Sequence, residues 1–368
     1  MFDISRLSAL IFDLDGVIWR GNMPVPGAVE SVARLRAAGK RCFYCTNNSR
    51  KAPADFVAAL AGMGIEAEEE EIMTSSSATA LYLSQQLTGD FSAYVVGEDG
   101  LTAALRKVGA RIVSDREAES NGDNWSDFPV DCVVAGIDRH FTYDKLRLAQ
   151  RFILNGARFV ATNRDSTFPV ANGVVPGAGS IVSAIETASG ISPVTIGKPQ
   201  PLMMHLLLQK FSLAPDETAM IGDRLDTDII AAHRAGIGAL YVATGVNTLE
   251  EAQRARGDLK PDVLLDDLPA LCTLLGLDAT VVASTQAPKN EAESLKESAP
   301  QHAENTGVET ATSETTTSEA TTAQSKSQSS ASTQGTGEAG AASDNWWESM
   351  DGMFSDNGRA KPPEQETP

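Results

Sequence analysis

"LIFDLDGVIW" (residues 10–19) continues an apolar run that begins at Ala9, ends it in two acids flanking one leucine, and turns at Gly16. The uninterrupted run "SALIFD" (8–13) is the pattern of a strand buried on both faces, as in a parallel sheet. Two carboxylates, Asp13 and Asp15, therefore sit at the tip of a buried strand.

The segments that follow keep the same grammar. "VESVARLRAAG" (29–39) reads as an amphipathic helix stopped at Gly39, and "KRCFYCT" (40–46) as the next strand. Alternating strand and helix predicts right-handed crossovers and a doubly wound, Rossmann-like α/β fold. The middle has strands of its own, "SAYVVG" (92–97), "CVVAGI" (132–137) and "ARFVAT" (157–162), with helical stretches at 100–108 and 142–155. From "PVTIGKP" (193–199) to about residue 275 the open-sheet pattern returns. The expected organisation is a core over 1–77 and 191–277, with an α/β domain inserted at 78–190.

Beyond residue 277 the composition shifts to Ser, Thr, Glu, Gln, Ala and Gly, which cannot bury enough apolar surface to offset ordering entropy. Residues 278–368 are expected to be disordered. One island, "SDNWWESMDGMFSDN" (343–357), places Trp346, Met350 and Met353, or Trp347, Met350 and Phe354, on one helical face. It reads either as an element that folds on a protein partner or as an apolar stretch without a role.

The 368 residues carry a formal charge of −19. The tail contributes 15 acids against 5 bases, a net of −10, which leaves −9 for residues 1–277. No basic stripe exists, so a nucleic-acid surface is excluded. Four cysteines make no disulfide framework, and the first residues lack a secretory pattern, so a reducing cytoplasm is expected. Cys42 and Cys45 have CxxC spacing, but positions three apart on a strand face opposite sides. No apolar run is long enough to span a membrane.

Four segments place polar groups at predicted strand ends, where open parallel sheets bind ligands. Asp13 and Asp15, two apart, face the same side, and like charges so close persist only if a cation is shared or one keeps its proton. Mg²⁺ suits such a pair, because a few carboxylate or carbonyl oxygens and a substrate phosphate hold it. "CTNNS" (45–49) delivers Thr46, Asn47 and Asn48, whose hydroxyl, amide and backbone N–H groups are able to cradle an anion. "IGKP" offers Lys198, which Pro199 holds extended while opening a helix. "AMIGDRLDTDI" (219–229) ends a strand at Gly222 and sets Asp223, Asp226 and Asp228 around a turn. Singly, each is an ordinary helix cap or surface charge.

In this order, "DLDGV", "TNNS", "GKP" and "GDRLDTD" resemble the four motifs of haloacid dehalogenase-like phosphohydrolases. The large domain between the second and third motifs resembles their type IIA branch, which includes p-nitrophenyl phosphatases and phosphoglycolate phosphatases. "ATNRDSTFPVANGVVPGAGS" (161–180) is similar to that branch's cap signature through Asn163, Asp165, Pro169, Gly173, Pro176 and Gly177. The resemblance covers residues 8 to about 275. It implies a Mg²⁺-dependent phosphatase in which Asp13 is the nucleophile that forms an aspartyl-phosphate and Asp15 the general acid and base. It implies metal binding by Asp13, Asp223 and the Asp15 carbonyl, with Asp228 behind them or reaching through water. Thr46, Asn47 and Asn48 would hold the phosphoryl oxygens, and Lys198 would offset the charge of phosphate and nucleophile. Phe168 would either face the non-phosphate end of the substrate or pack within the cap. "IWRGNMPVPGA" (18–28) would be a flap beside the site or an ordinary connection, and a cap-mediated homodimer is expected from relatives.

The substrates implied are small phosphorylated metabolites such as phosphoglycolate, glycerol phosphate or sugar phosphates. The alternatives are a nucleotide phosphatase, a phosphotransferase of the same fold, or an interaction protein whose tail docks a partner. Two phosphate-binding patterns fail. "GISPVTIGKP" has six residues between Gly190 and Gly197 and Pro199 after the lysine, so it is no Walker loop. "PGAGSIV" has Val182 where a dinucleotide fingerprint needs its third glycine.

Overall fold

The computed structural model describes residues 2–87, 89–120, 128–170 and 173–277. The tail expected at 278–368 and its 343–357 island lie outside the described residues.

Six parallel strands make the first sheet, in the spatial order Val263–Leu265, Gly238–Val242, Thr218–Gly222, Ala9–Phe12, Arg41–Thr46 and Ile72–Thr74. From Ala9–Phe12 the chain builds outward through Arg41–Thr46 and Ile72–Thr74. It then returns to Thr218–Gly222 on the other flank and builds the opposite way. The order reverses between Ala9–Phe12 and Thr218–Gly222, which is where such a sheet opens a crevice at its carboxyl edge. Phe12 lies opposite Ile221 on one side and Tyr44 on the other, so three strand tips end level. Leu10, Phe12 and Leu14 are fully buried, each contributing roughly 1.5–3 kcal/mol relative to exposure. That burial fixes the height at which Asp13 emerges.

The second sheet has five parallel strands, ordered Val194–Thr195, Arg158–Ala161, Cys132–Ala135, Phe91–Val96 and Ala110–Val113. Its core is its own, built around Tyr94, Val133, Phe152, Phe159 and Ile185. The boundary expected at 190 needs correcting. Val194 pairs with Val160 and Thr195 with Ala161, so the segment first assigned to the returning core closes the edge of the second sheet. On the other side the helix Ser75–Gln86 runs across residue 78. Edge strand Ala110–Val113 and the antiparallel hairpin Thr167–Val170/Gly173–Pro176 were not anticipated. An arginine inside the short "ARIV" stretch hides the apolar pattern, and edges tolerate such residues. Helix Leu202–Phe211 starts three residues beyond Pro199, with Pro201 at its cap.

Glu98 ties the two parts together. It follows the strand Phe91–Val96 and accepts from Arg50 Nε at 3.0 Å, from the loop after the first sheet's Arg41–Thr46 strand, and from Arg139 Nε at 2.7 Å. Burial pushes the Glu98 carboxyl up, but the two guanidiniums outweigh it and hold it at about 2. A depressed carboxyl stabilises the fold above its unfolded value of about 4.3, and that contribution is lost as pH falls toward 2. Glu98→Gln is therefore expected to cost on the order of 1–2 kcal/mol at pH 7, discounted for the solvent that reaches Arg139. Urea unfolding across pH checks this: the gap between the proteins should narrow below about pH 4.

Candidate active site

Asp13 leaves the strand still paired, its N–H donating to the Ile221 carbonyl at 2.8 Å. At Gly16 the chain turns back with φ of 90°, a conformation cheap only for glycine. A Cβ on Gly16 would stand 2.6 Å from Asp223 Oδ2, and one on Gly245 would stand 1.8 Å from the same oxygen. These two glycines let three loops close around one carboxylate. Asp223 itself ends the strand Thr218–Gly222 and is fully buried. The wide turn Leu225–Ile229 then carries Asp228 back beneath it, where Asp228 Oδ2 accepts from the Arg224 N–H at 3.1 Å.

Lys198, 3% exposed, enters from between the two sheets. Its Nζ lies 2.5 Å from Asp13 Oδ1, 2.7 Å from Asp228 Oδ1 and 3.3 Å from the Cys45 carbonyl. Burial alone would discharge this ammonium, but Asp13 and Asp228 reverse the effect and hold its pKa well above the ordinary lysine value. Burial raises the Asp13 carboxyl far above its usual range. Lys198 opposes that shift, while Asp228 and Asp223 add to it. Asp223 is pushed up to about 6 by burial and then by Asp228, although the Val246 N–H donates to its Oδ2 at 2.6 Å.

One oxygen of each of Asp13, Asp223 and Asp228 falls within a cluster whose members are 4.8 Å or less apart. Among the described residues, Asp223 Oδ1 is buried without a hydrogen-bond partner. An orphaned oxygen among three carboxylates and a single ammonium is a donor set suited to a hard divalent cation. The residues present fit such an ion.

Asp15 lies on the mouth side of Asp13, and both line a cavity of about 290 Å³. Trp19 Nε1 donates to Asp15 Oδ1 at 3.0 Å. Crowding by the cavity walls raises the Asp15 carboxyl against the indole's opposing effect, and the residue's exposure to solvent limits that shift. The short hairpin Trp19–Arg20/Met23–Pro24, in the stretch read as a flap, thus supplies the group that orients Asp15.

Thr46, Asn47 and Asn48 reach the same cavity, but not as three equal anion ligands. The Asn47 side chain is already committed: Oδ1 accepts from Lys198 N–H at 2.8 Å, and Nδ2 donates to the Lys198 carbonyl at 2.9 Å. Asn48 Oδ1 accepts from Arg50 N–H at 2.9 Å. A tight turn uses short amides to satisfy its own backbone first. Thr46 Oγ1 accepts from Asn48 N–H at 3.1 Å, and its own proton has no acceptor among the described residues.

Phe168 lines the cavity and also carries the Arg50 guanidinium over its ring, 5.5 Å from the centroid. Ser49, Arg224 and Asp165 line the cavity without having been given a chemical role from sequence. Ser49 is buried and its hydroxyl has no hydrogen-bond partner among the described residues. Arg224 reaches the wall while paired with Asp226 at 2.9 Å. Asp165 accepts from Asn47 Nδ2 at 3.1 Å. An isolated Arg or Ser in a motif carries no periodicity, and only the convergence of loops gives these residues a place.

Comparison with known proteins bears on this geometry. Residues 10–111 match the family described as haloacid dehalogenase-like hydrolase, and residues 195–271 match a second HAD-hydrolase-like family. An acid sugar phosphatase of Staphylococcus aureus is 38% identical over 250 residues, 68% of this chain and 92% of that protein. A p-nitrophenyl phosphatase from Archaeoglobus fulgidus superposes with a TM-score of 0.66 at 31% identity, over 73% of this chain and 99% of that one. A glycerol phosphate phosphatase from Mycobacterium tuberculosis, solved with magnesium, gives a TM-score of 0.65 at 34% identity over 74% of this chain and 79% of that one. With that identity over nearly the whole of a relative, and with Asp13, Thr46 and Asp223 at strand ends of the first sheet meeting Lys198, the chain belongs to the haloacid dehalogenase-like hydrolases, in their type IIA branch.

Proposed function

We propose that the protein is a Mg²⁺-dependent phosphomonoester hydrolase for small phosphorylated polyols, sugars or hydroxy acids. The observation that carries this reading is the contact of Asp13 with the buried Lys198 at the floor of a 290 Å³ cavity, beside the unpartnered Asp223 oxygen. The named activities of the relatives, on sugar phosphate and on glycerol phosphate, support the same class.

In this reading Asp13 attacks phosphorus through a carboxylate oxygen and expels the substrate alcohol, leaving an aspartyl-phosphate. Asp15, oriented by Trp19, holds a proton on its free Oδ2 and delivers it to the departing alkoxide. It then takes a proton from the water that hydrolyses the intermediate. Lys198 keeps its ammonium against Asp13 and meets the phosphoryl oxygens from the opposite side. Thr46 donates its hydroxyl, and Ser49 has one to spare. Mg²⁺, held by Asp13, Asp223, Asp228 and the Asp15 carbonyl, would neutralise charge on the phosphoryl oxygens and relieve the repulsion among the acids. Phosphoryl transfer is catalysed chiefly by such positioning and neutralisation.

Cavity size favours small substrates over nucleotides, since about 290 Å³ lies at the low end of ligand sites. The test is phosphate release from a panel of monoesters, with Mg²⁺ and with EDTA. Polyol, sugar and hydroxy-acid phosphates are expected to turn over with Mg²⁺ and to fall to background in EDTA. Because protons compete with the metal at Asp223, the half-saturating Mg²⁺ concentration should rise as pH drops below about 6. Undiminished turnover in EDTA, or none on any ester, would sink the proposal.

A further inference from the structure

The reciprocal bonds between Asn47 and the Lys198 backbone continue into the second sheet. The strand Arg158–Ala161 ends in a tight turn, Thr162 to Asp165, that grips Asn47 twice. Asn163 Nδ2 donates to the Asn47 carbonyl at 2.8 Å, and the Asp165 carboxylate accepts from Asn47 Nδ2 at 3.1 and 3.2 Å. The Asp165 N–H in turn donates to Asn163 Oδ1 at 3.0 Å, and Gly179 N–H donates to the Asp165 carbonyl at 2.9 Å. A Cβ on Gly177 would stand 2.3 Å from that carbonyl, so the helix start at Ala178 is packed hard against it.

We infer that Asp165 is a positioning residue: it orients the Asn47 amide, and through it the backbone of Lys198, so that the ammonium meets Asp13 only when the turn of the second sheet is in place. Three facts carry this. An amide is symmetric enough to flip, and only its neighbours decide which end faces Lys198. Here both Asp165 carboxylate oxygens accept from Asn47 Nδ2, so they favour the Nδ2 end. With Nδ2 so fixed, Oδ1 must face the Lys198 N–H, which it meets at 2.8 Å. The backbone that carries Nζ is therefore held from both its donor and its acceptor.

The inference rests on Lys198 acting as proposed above, and its test separates the two. Turnover of p-nitrophenyl phosphate and of glycerol phosphate would be measured for Asp165→Ala, Asn47→Ala, the double variant and Asp165→Asn, each checked by circular dichroism and thermal melting. A displaced reacting group costs on the order of 10²-fold in rate, so both alanine variants should lose kcat on that scale. The loss should be equal for the two esters, with KM changed by less than about threefold. The double variant should lose no more than the worse single one, because both break the same relay. Asp165→Asn keeps one acceptor oxygen and should recover part of the loss. A KM increase confined to glycerol phosphate would place Asp165 on the leaving group and overturn the inference, as would additive losses or unchanged kcat in Asp165→Ala. If the parent protein releases no phosphate, it is the hydrolase reading that fails; the relay is then judged by whether Asp165→Ala alters the environment of Lys198, followed by the rate of its chemical modification, and an unaltered rate overturns it.

Discussion

Asp13→Asn is expected to abolish turnover, by at least about 10⁴-fold in kcat, the scale on which loss of a covalent nucleophile is felt in other hydrolases. The amide has the shape of the carboxylate but no oxygen able to form a stable acyl phosphate. Its carbonyl oxygen still accepts from Lys198, and the bond from the residue 13 N–H to Ile221 belongs to the backbone, so the strand tip keeps its place. The variant should fold as well as the parent, and in EDTA better. Burial, Asp228 and Asp223 all push the Asp13 carboxyl toward neutrality, and a neutral amide removes that repulsion. Steady-state rates, a melting curve in EDTA and intact mass to exclude deamidation form the measurement. Turnover within about tenfold of the parent, with the amide intact, would falsify the assignment of Asp13.

The strand tips were legible because a buried parallel strand is apolar throughout, so an acid that ends one is conspicuous. Asp13 after Phe12 and Asp223 after Gly222 stood out for that reason. Lys198 was legible from its place between Gly197 and Pro199 in a returning segment. What bound these groups to one another was not. Asn47 and Lys198 are 151 residues apart, and nothing in "TNNS" distinguishes an asparagine that holds phosphate from one that holds the chain. Gly16 reads as a turn residue, whereas the space that it and Gly245 vacate is filled by Asp223. The insertion boundary failed for a related reason. "PVTIGKP" has the apolar character of a strand in either sheet, and only the partner, Arg158–Ala161, decides which.

Lys198→Met should remove activity and stability together, and the way the two respond to conditions distinguishes its roles. Without the ammonium, phosphate and Asp13 approach one another unscreened. Loss of a single preorganised charge of this kind costs on the order of 10²–10³-fold in kcat. Lys198→Arg should not restore it, because the planar, larger guanidinium cannot sit between Asp13, Asp228 and the Cys45 carbonyl where a compact ammonium does. In EDTA the methionine variant keeps the buried acids of the cluster and lacks their cation. Breaking a buried pair in this way costs about 3–5 kcal/mol. That deficit has a pH signature. The pair exists only while the acids are ionised, so the gap from the parent should be widest near pH 8 and shrink as acidification protonates Asp223, near 6, and Asp13, which burial also raises. Mg²⁺ should close much of the stability gap at pH 8, since it supplies positive charge to the same carboxylates, yet leave kcat low because it does not occupy the place of Nζ. Guanidinium unfolding at pH 5 and 8, with and without Mg²⁺, reads all of this. A variant as stable as the parent in EDTA at pH 8 would mean that the carboxylates are neutral there, and that Lys198 contributes to catalysis alone.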